Sequence, residues 1–374
     1  MMSKQMTTCA LVATLLLAAA SALPTKDAVT SLPLYNGSFP SLHYSGYLTA
    51  NGGSHLHYYF VEAVDVAPAD APIVVWINGG PGCSSMDGWG YELGPFHFKN
   101  DGANGPTFEL NSQTWTKYAN VLFLEAPPGV GFSYREDGNY TITDTQNAAN
   151  NYAALVYFLN EKFPEYIKNK FYVAGESYGG VYVPTLVHEI LTNGGIPNFS
   201  GMLVGNGCTS CDCDNYVEGD LKFAAYHDLI PFSLYEDGQA NCIGEKAMTS
   251  PACKANQDKY YGEFMKDVNP YGVYYKCFAQ PTMNWKFIPS LRRRLQAMAR
   301  KAGYGEEYAR YLDDVLNPKK AADVGLVPPS PPGGNVPCID SVEMTTYLNR
   351  QDVKAAIHVA PNLDWAICSN INYI

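Results

Sequence analysis

The sequence predicts an α/β protein with a mostly parallel central sheet, on three observations. Five short runs rich in β-branched and aromatic residues, 55–64, 73–77, 121–126, 171–174 and 202–204, are bounded by Gly, Pro or Asn, as strands are. Helical periodicity separates the third from the fourth, and a strand–helix–strand order needs a crossover, which makes the flanking strands parallel. The 374 residues are 47% hydrophobic and 16% charged, enough apolar material for a large core.

Taken in order, the chain opens with Lys4, an apolar run over 9–20 and the small-x-small site Ala20-Ser21-Ala22. Residues 1–22 read as a secretory signal peptide, because the run is shorter than the roughly 20 apolar residues that cross a bilayer. No later segment reads as a membrane span. The first part of the core covers 31–207. Its crossover helix occupies 144–163, where Ala148, Tyr152, Leu155, Val156 and Leu159 recur at helical spacing behind an Asp144 cap. At Cys208 the character changes to CTSCDCDN, scattered cysteines and a charged helical stretch, 290–316, that holds Arg292, Arg293 and Arg294. With the Pro-rich segment 327–337 this makes a helical, disulfide-containing cap insertion and linker over 208–337. The second core part is 338–374, with helical patterning over 341–359.

The formal charge of −11 repels phosphate backbones, so nucleic acid is excluded as a partner. Nine of the ten cysteines follow the leader, and an oxidising compartment makes them disulfide candidates, with one left over. Sequons at Asn36, Asn139 and Asn198 agree with export, to the exterior or to a lysosome or vacuole. His55 and His57 share a strand face but have no third ligand nearby, and Cys211 and Cys213 fit disulfides better than a metal. The sequence calls for no metal and no cofactor.

Gly175-Glu176-Ser177-Tyr178-Gly179 follows a strand and precedes a helical pattern, the context in which G-x-S-x-G presents a serine nucleophile on a sharp bend. A second Gly-rich stretch, Trp76 to Ser85, leaves a strand with glycines at 79, 80 and 82, so its backbone can approach a ligand closely. Amides of such a loop, with the amide that follows the nucleophile, can hold an oxyanion. The plain alternatives are a solvated serine on a Gly-rich turn and a tight strand-to-helix turn.

WINGGPGCSSMDGWGYELGPF, NVLFLEAPPGVGFSY and VAGESYGGVYVPTL, in this order, resemble the serine carboxypeptidase family of the cathepsin A and carboxypeptidase Y type, over about residues 31–374. The resemblance implies an α/β-hydrolase fold and an enzyme that releases C-terminal residues from peptides at acidic pH through an acyl-enzyme on Ser177. It implies oxyanion donors at Gly80 and Tyr178, substrate-carboxylate binding by Asn78, Gly79, Glu92 and Glu176, and a Cys83–Cys338 disulfide. Two acidic residues facing an anion make sense if one stays protonated and donates a hydrogen bond. Peptide or protein C-termini are the implied partners; a homodimer is compatible with this and not decided by the sequence.

In α/β-hydrolases the acid and the histidine follow the serine. Downstream lie His188, His227 and His358, none in a segment resembling the family's histidine region, and no matching Gly-Asp segment occurs before Ile374. The resemblance thus implies a C-terminally incomplete core lacking its last strands, with an open sheet edge. Loss of the histidine costs such a unit about 10⁶-fold in turnover, so the chain as given reads as nearly inactive by this route. The alternatives are a secreted peptide-binding pseudoenzyme and an acyltransferase that passes the acyl group to an alcohol.

Overall fold

A computed structural model describes residues 26–100, 106–209, 216–244, 250–265, 268–269, 273, 342–369 and 372–373. The expected leader, Cys211, Cys213, Cys277, Cys338, the 290–316 helix and the Pro-rich segment lie outside the described residues.

The core is an eight-stranded mixed sheet: β1 (Ala28–Val29), β2 (His43–Thr49), β3 (Ser54–Val61), β4 (Ile73–Ile77), β5 (Asn120–Leu124), β6 (Tyr134–Arg135), β7 (Phe171–Glu176) and β8 (Phe199–Gly205). Their spatial order is 1-2-3-5-4-7-8, with β6 beside β3. Strands β5, β4, β7 and β8 run parallel, and the N-terminal strands pair antiparallel. On β4, Ile73, Val75 and Ile77 enter one apolar layer while Val74 and Trp76 enter the other. Burial on both faces is why this strand reads as an unbroken apolar run instead of an alternating one.

Helices α1 (Asp144–Tyr157) and α2 (Gly179–Asn193) supply the crossovers β5 to β7 and β7 to β8. Leu155, Phe158, Leu186 and Ile190 pack them onto the first layer. The cap of α1 differs from the sequence expectation by one residue. Thr143, in extended backbone, accepts from the Gln146 amide at 3.1 Å while Gln146 Oε1 accepts from the Thr143 amide at 3.0 Å, a reciprocal box that Asp144 cannot make from inside the helix.

A satellite cluster around Tyr216, Leu221, Leu234 and Tyr260 holds α3 (Lys222–Tyr226), α4 (Phe232–Asn241) and α5 (Pro251–Lys259), stapled by Cys242–Cys253. Then α6 (Val342–Leu348) and α7 (Gln351–Ala356) return to the second layer through Met344, Tyr347 and Val353. Among the described residues β8 ends the sheet, with Met202 and Leu203 about half exposed. No described helix is long and apolar enough to cross a membrane.

Candidate active site

Ser177 stands where β7 gives way to α2, with φ at +54°, a region that L-residues other than glycine rarely occupy. Its backbone is held from three sides: its amide donates to the Gly205 carbonyl at 3.2 Å, and its carbonyl accepts from the amides of Gly180 at 2.9 Å and Cys208 at 2.8 Å. These bonds over-determine the strained conformation. The residue is exposed although Gly175, Tyr178, Gly179 and Gly180 around it are buried. The N-terminus of the 15-residue helix α2 points its partial positive charge at the same spot.

The loop after β4 closes against this bend. A Cβ on Gly79 would collide with the Tyr178 amide and meet the Glu176 carbonyl at 2.7 Å and Ser177 Cβ at 2.9 Å, so only glycine lets the two backbones approach. Gly80 follows at φ +114°. The Gly79 backbone is thereby set against Ser177 and the Tyr178 amide, with Gly80 next in the chain.

Cys83 in this loop bonds to Cys368, so the Cys83–Cys338 pairing implied by the resemblance is wrong. The cause is local strand-like pairing: Ser84 donates to the Ile367 carbonyl at 2.7 Å and Ser369 to the Gly82 carbonyl at 2.8 Å, which sets Cys83 opposite Cys368.

Beside the loop, Asn78 is buried with every carboxamide position used. Its Oδ1 accepts from Trp76 Nε1 at 2.7 Å and the Gly88 amide at 3.2 Å; its Nδ2 donates to Glu92 Oε1 at 2.9 Å and Glu176 Oε1 at 3.1 Å. Glu92 sits at the end of a π-helical turn, Gly88–Glu92, and Glu176 at the end of β7. Burial first, then the charges of Asp87 and Glu176, push the Glu92 carboxyl up to about 8, against the Asn78 hydrogen bond. Burial likewise raises Glu176. Asp87, which the sequence reading did not single out, is pushed to about 7 by burial and by Glu176. Its only signal in sequence is an acid set between Met86 and Gly88 in an otherwise apolar and glycine-rich run.

The structure thus brings together Ser177, Gly79, Gly80, Tyr178, Asn78, Glu92 and Glu176. Among the described residues no histidine is hydrogen-bonded to Ser177. His188 is exposed on α2, His227 bonds its own turn at Phe223, and His358 bonds the Ser45 carbonyl at 2.9 Å. His55 and His57 go to separate carboxylates, Glu136 and Glu125, and among the described residues no three metal-ligating groups converge. The sequon residues Asn36 and Asn139 are exposed, whereas the Asn198 amide nitrogen donates to the Ile167 carbonyl at 3.1 Å.

A serine on a strand–turn–helix bend at the end of a parallel strand, next to a glycine loop, defines the α/β-hydrolase class. The sequence profile of the serine carboxypeptidases matches residues 33–373. The chain is 36% identical to "Serine carboxypeptidase-like 21" of Arabidopsis thaliana, across 94% of this chain and 74% of that protein. It is 37% identical to "Serine carboxypeptidase ctsa-4.1" of Caenorhabditis elegans, across 93% and 70%, and 34% identical to the "Lysosomal protective protein" of Mus musculus, across 94% and 72%. The crystal structure of Kex1Δp, a prohormone-processing carboxypeptidase from Saccharomyces cerevisiae, shares the fold with a TM-score of 0.60 at 20% identity, over 93% of this chain and 71% of that one. The chain belongs to the serine carboxypeptidase family.

Proposed function

We propose that the chain is a serine-type carboxypeptidase of the secretory pathway whose Ser177 attacks the last peptide bond of a peptide or protein. The hydroxyl oxygen adds to the carbonyl carbon, the amide bond breaks, the terminal residue leaves as an amine, and water then cleaves the resulting ester. The Gly80 and Tyr178 amides receive the negative charge on the carbonyl oxygen. The substrate's terminal carboxylate lies by Asn78, Gly79, Glu92 and Glu176, where a neutral carboxyl donates to it. One observation carries this reading: an exposed serine at φ +54° directly follows Glu176 at the end of β7, and Glu176 and Glu92 are both anchored to one buried Asn78 just past the adjacent strand β4. That geometry suits a short anionic end and selects the terminal bond over an internal one.

The hydroxyl proton needs a base, and no described histidine is bonded to Ser177. This favours a second reading, a protein that binds peptide C-termini without cleaving them. Blocked dipeptides at pH 5, offered beside acyl-glucose donors, separate the cases. Release of the terminal amino acid supports the peptidase, transfer from the acyl donor supports an acyltransferase, and saturable binding of the dipeptide with neither reaction supports the binding protein. No binding of any kind overturns the site.

A further inference from the structure

Behind the glycine loop, and sealed from solvent, lies a polar network that the chemistry above does not use. Glu125, one residue past β5, has a side chain with no exposure and four donors around it. Its Oε1 accepts from the Ser84 hydroxyl and from Trp365 Nε1 at 2.9 Å; its Oε2 accepts from the Phe132 amide at 2.9 Å and faces His57 Nδ1 at 2.8 Å. His57 is equally buried.

Proton counting fixes what passes between them. The Ser45 hydroxyl spends its one hydrogen on the Ile357 carbonyl at 2.8 Å. His57 Nε2, 2.9 Å from that same oxygen, must therefore be the donor there. Nε2 then carries a proton, and a further one lies between Nδ1 and Oε2, where neither atom could face the other without it. The pair is neutral overall, an imidazolium with a carboxylate or an imidazole with a carboxylic acid.

We propose that Glu125, sharing this proton with His57, is a positioning residue for the loop that carries the Gly80 amide; the proposal rests on the carboxypeptidase reading only for what that loop does. The path is short. Ser84 lies one residue from Cys83 and its disulfide, and its hydroxyl both reaches Glu125 and accepts from the Met86 amide at 3.1 Å. Next to it, the Ser85 hydroxyl donates to the Leu124 carbonyl at 2.6 Å and accepts from the Asn78 amide at 3.1 Å. One buried side chain therefore fixes the loop against β3, β5 and the Trp365 segment at once. A network of this kind specifies a single arrangement when all its members are satisfied.

Glu125→Gln tests it, because the amide keeps the shape but turns one acceptor oxygen into a donor: turned toward His57 it can give a hydrogen to Nδ1 but leaves the Phe132 amide without its acceptor, and turned toward Ser84 it faces Trp365 Nε1. Glu62→Gln is the comparison: Glu62 is also buried, accepts from Tyr44 at 3.2 Å and Tyr166 at 2.7 Å, and among the described residues its side chain makes no hydrogen bond to the loop. Two readouts are taken on the whole chain, amide hydrogen exchange over 79–89 and, where the parent turns over, the separate values of kcat and KM.

Glu125→Gln should speed exchange of the Cys83, Ser84 and Met86 amides about tenfold or more, the equivalent of one disturbed buried hydrogen bond. It should lower kcat about 10- to 100-fold with KM unchanged, since a displaced oxyanion donor is felt in the transition state. Glu62→Gln should lower the melting temperature and move neither. Ser84→Ala, which removes only the hydroxyl, serves where Glu125→Gln fails to fold and should speed the same exchange. Loop exchange and kcat that stay at parental values in both loop variants overturn the proposal. An inert parent overturns the carboxypeptidase reading instead, and loop exchange still decides the role of Glu125.

Discussion

Asn78 and Glu176, 98 positions apart in sequence, are joined by a 3.1 Å hydrogen bond that ties the glycine loop to the nucleophile strand. The same Asn78 nitrogen holds Glu92 at 2.9 Å, so one carboxamide sets the separation of both carboxyls. Asn78→Ala removes that spacer and also leaves the Trp76 indole N–H and the Gly88 amide without their acceptor. Unsatisfied buried donors cost about 1–3 kcal/mol each. The expected outcome is a loss of at least about 2 kcal/mol in urea unfolding together with weaker dipeptide binding. Asn78→Asp, which keeps the acceptor but adds a fourth carboxyl to Asp87, Glu92 and Glu176, should recover part of the stability and none of the binding.

The acid cluster makes stability depend on pH in a definite direction. In the unfolded chain these carboxyls ionise near pH 4, whereas in the fold Asp87 is raised to about 7 and Glu92 to about 8. Between those limits the folded state holds more protons than the unfolded one, so stability falls as pH rises from about 4 to about 8 and levels off beyond. Binding of a terminal carboxylate should weaken over the upper part of the same range, as the donor proton leaves. Melting temperatures and dipeptide titrations from pH 4 to 9 measure both. Glu92→Gln should flatten each curve; a parental slope in that variant would show that another group sets the profile.

Replacing Gly79 by Ala puts a methyl group against the Glu176 carbonyl and Ser177 Cβ, contacts of 2.7 and 2.9 Å that no side chain can relieve. Either the loop or the bend must move. Overpacking of this kind costs about 1–3 kcal/mol. Gly79→Ala should therefore destabilise the chain and weaken dipeptide binding together, read by urea unfolding and calorimetry.

The Cys83–Cys368 bond is directly checkable. Digestion without reduction should yield a peptide pair joined through Cys83 and Cys368, and Cys338→Ser should leave that pair intact. Cys368→Ser opens a cross-link spanning 285 positions and should cost about 2–5 kcal/mol.

Much of the sheet was legible because its strands carry their own evidence: IVVWI over Ile73–Ile77 is continuous and apolar since both faces are buried. Ser177 was legible because strand, glycine turn and helix follow one another locally. Asn78, Glu92 and Glu176 came from resemblance, and only the fold shows that they share hydrogen bonds. Glu125 and Asp87 were invisible for a common reason. A buried polar group is defined by partners far along the chain, as Glu125 is by His57 at 68 positions and Trp365 at 240, and no local pattern encodes that. The partner of Cys83 failed in the same way, since backbone pairing at 367–369 decides it.

The bend at Ser177 gives the last expectation. At φ +54° the serine Cβ crowds its own backbone, a strain of about 1–2 kcal/mol for an L-residue. Ser177→Gly removes the crowding but adds freedom to the unfolded chain, which returns about 0.5–1 kcal/mol. The net should be a variant up to about 1 kcal/mol more stable than the parent in urea. Ser177→Ala deletes the same hydroxyl yet keeps the Cβ, so it should gain almost nothing. A glycine variant no more stable than the alanine one would mean that the backbone bonds from Gly205, Gly180 and Cys208 hold the bend without strain. The expected order, glycine above alanine and serine, would mark Ser177 as a position where stability has been given up to project a hydroxyl into the site.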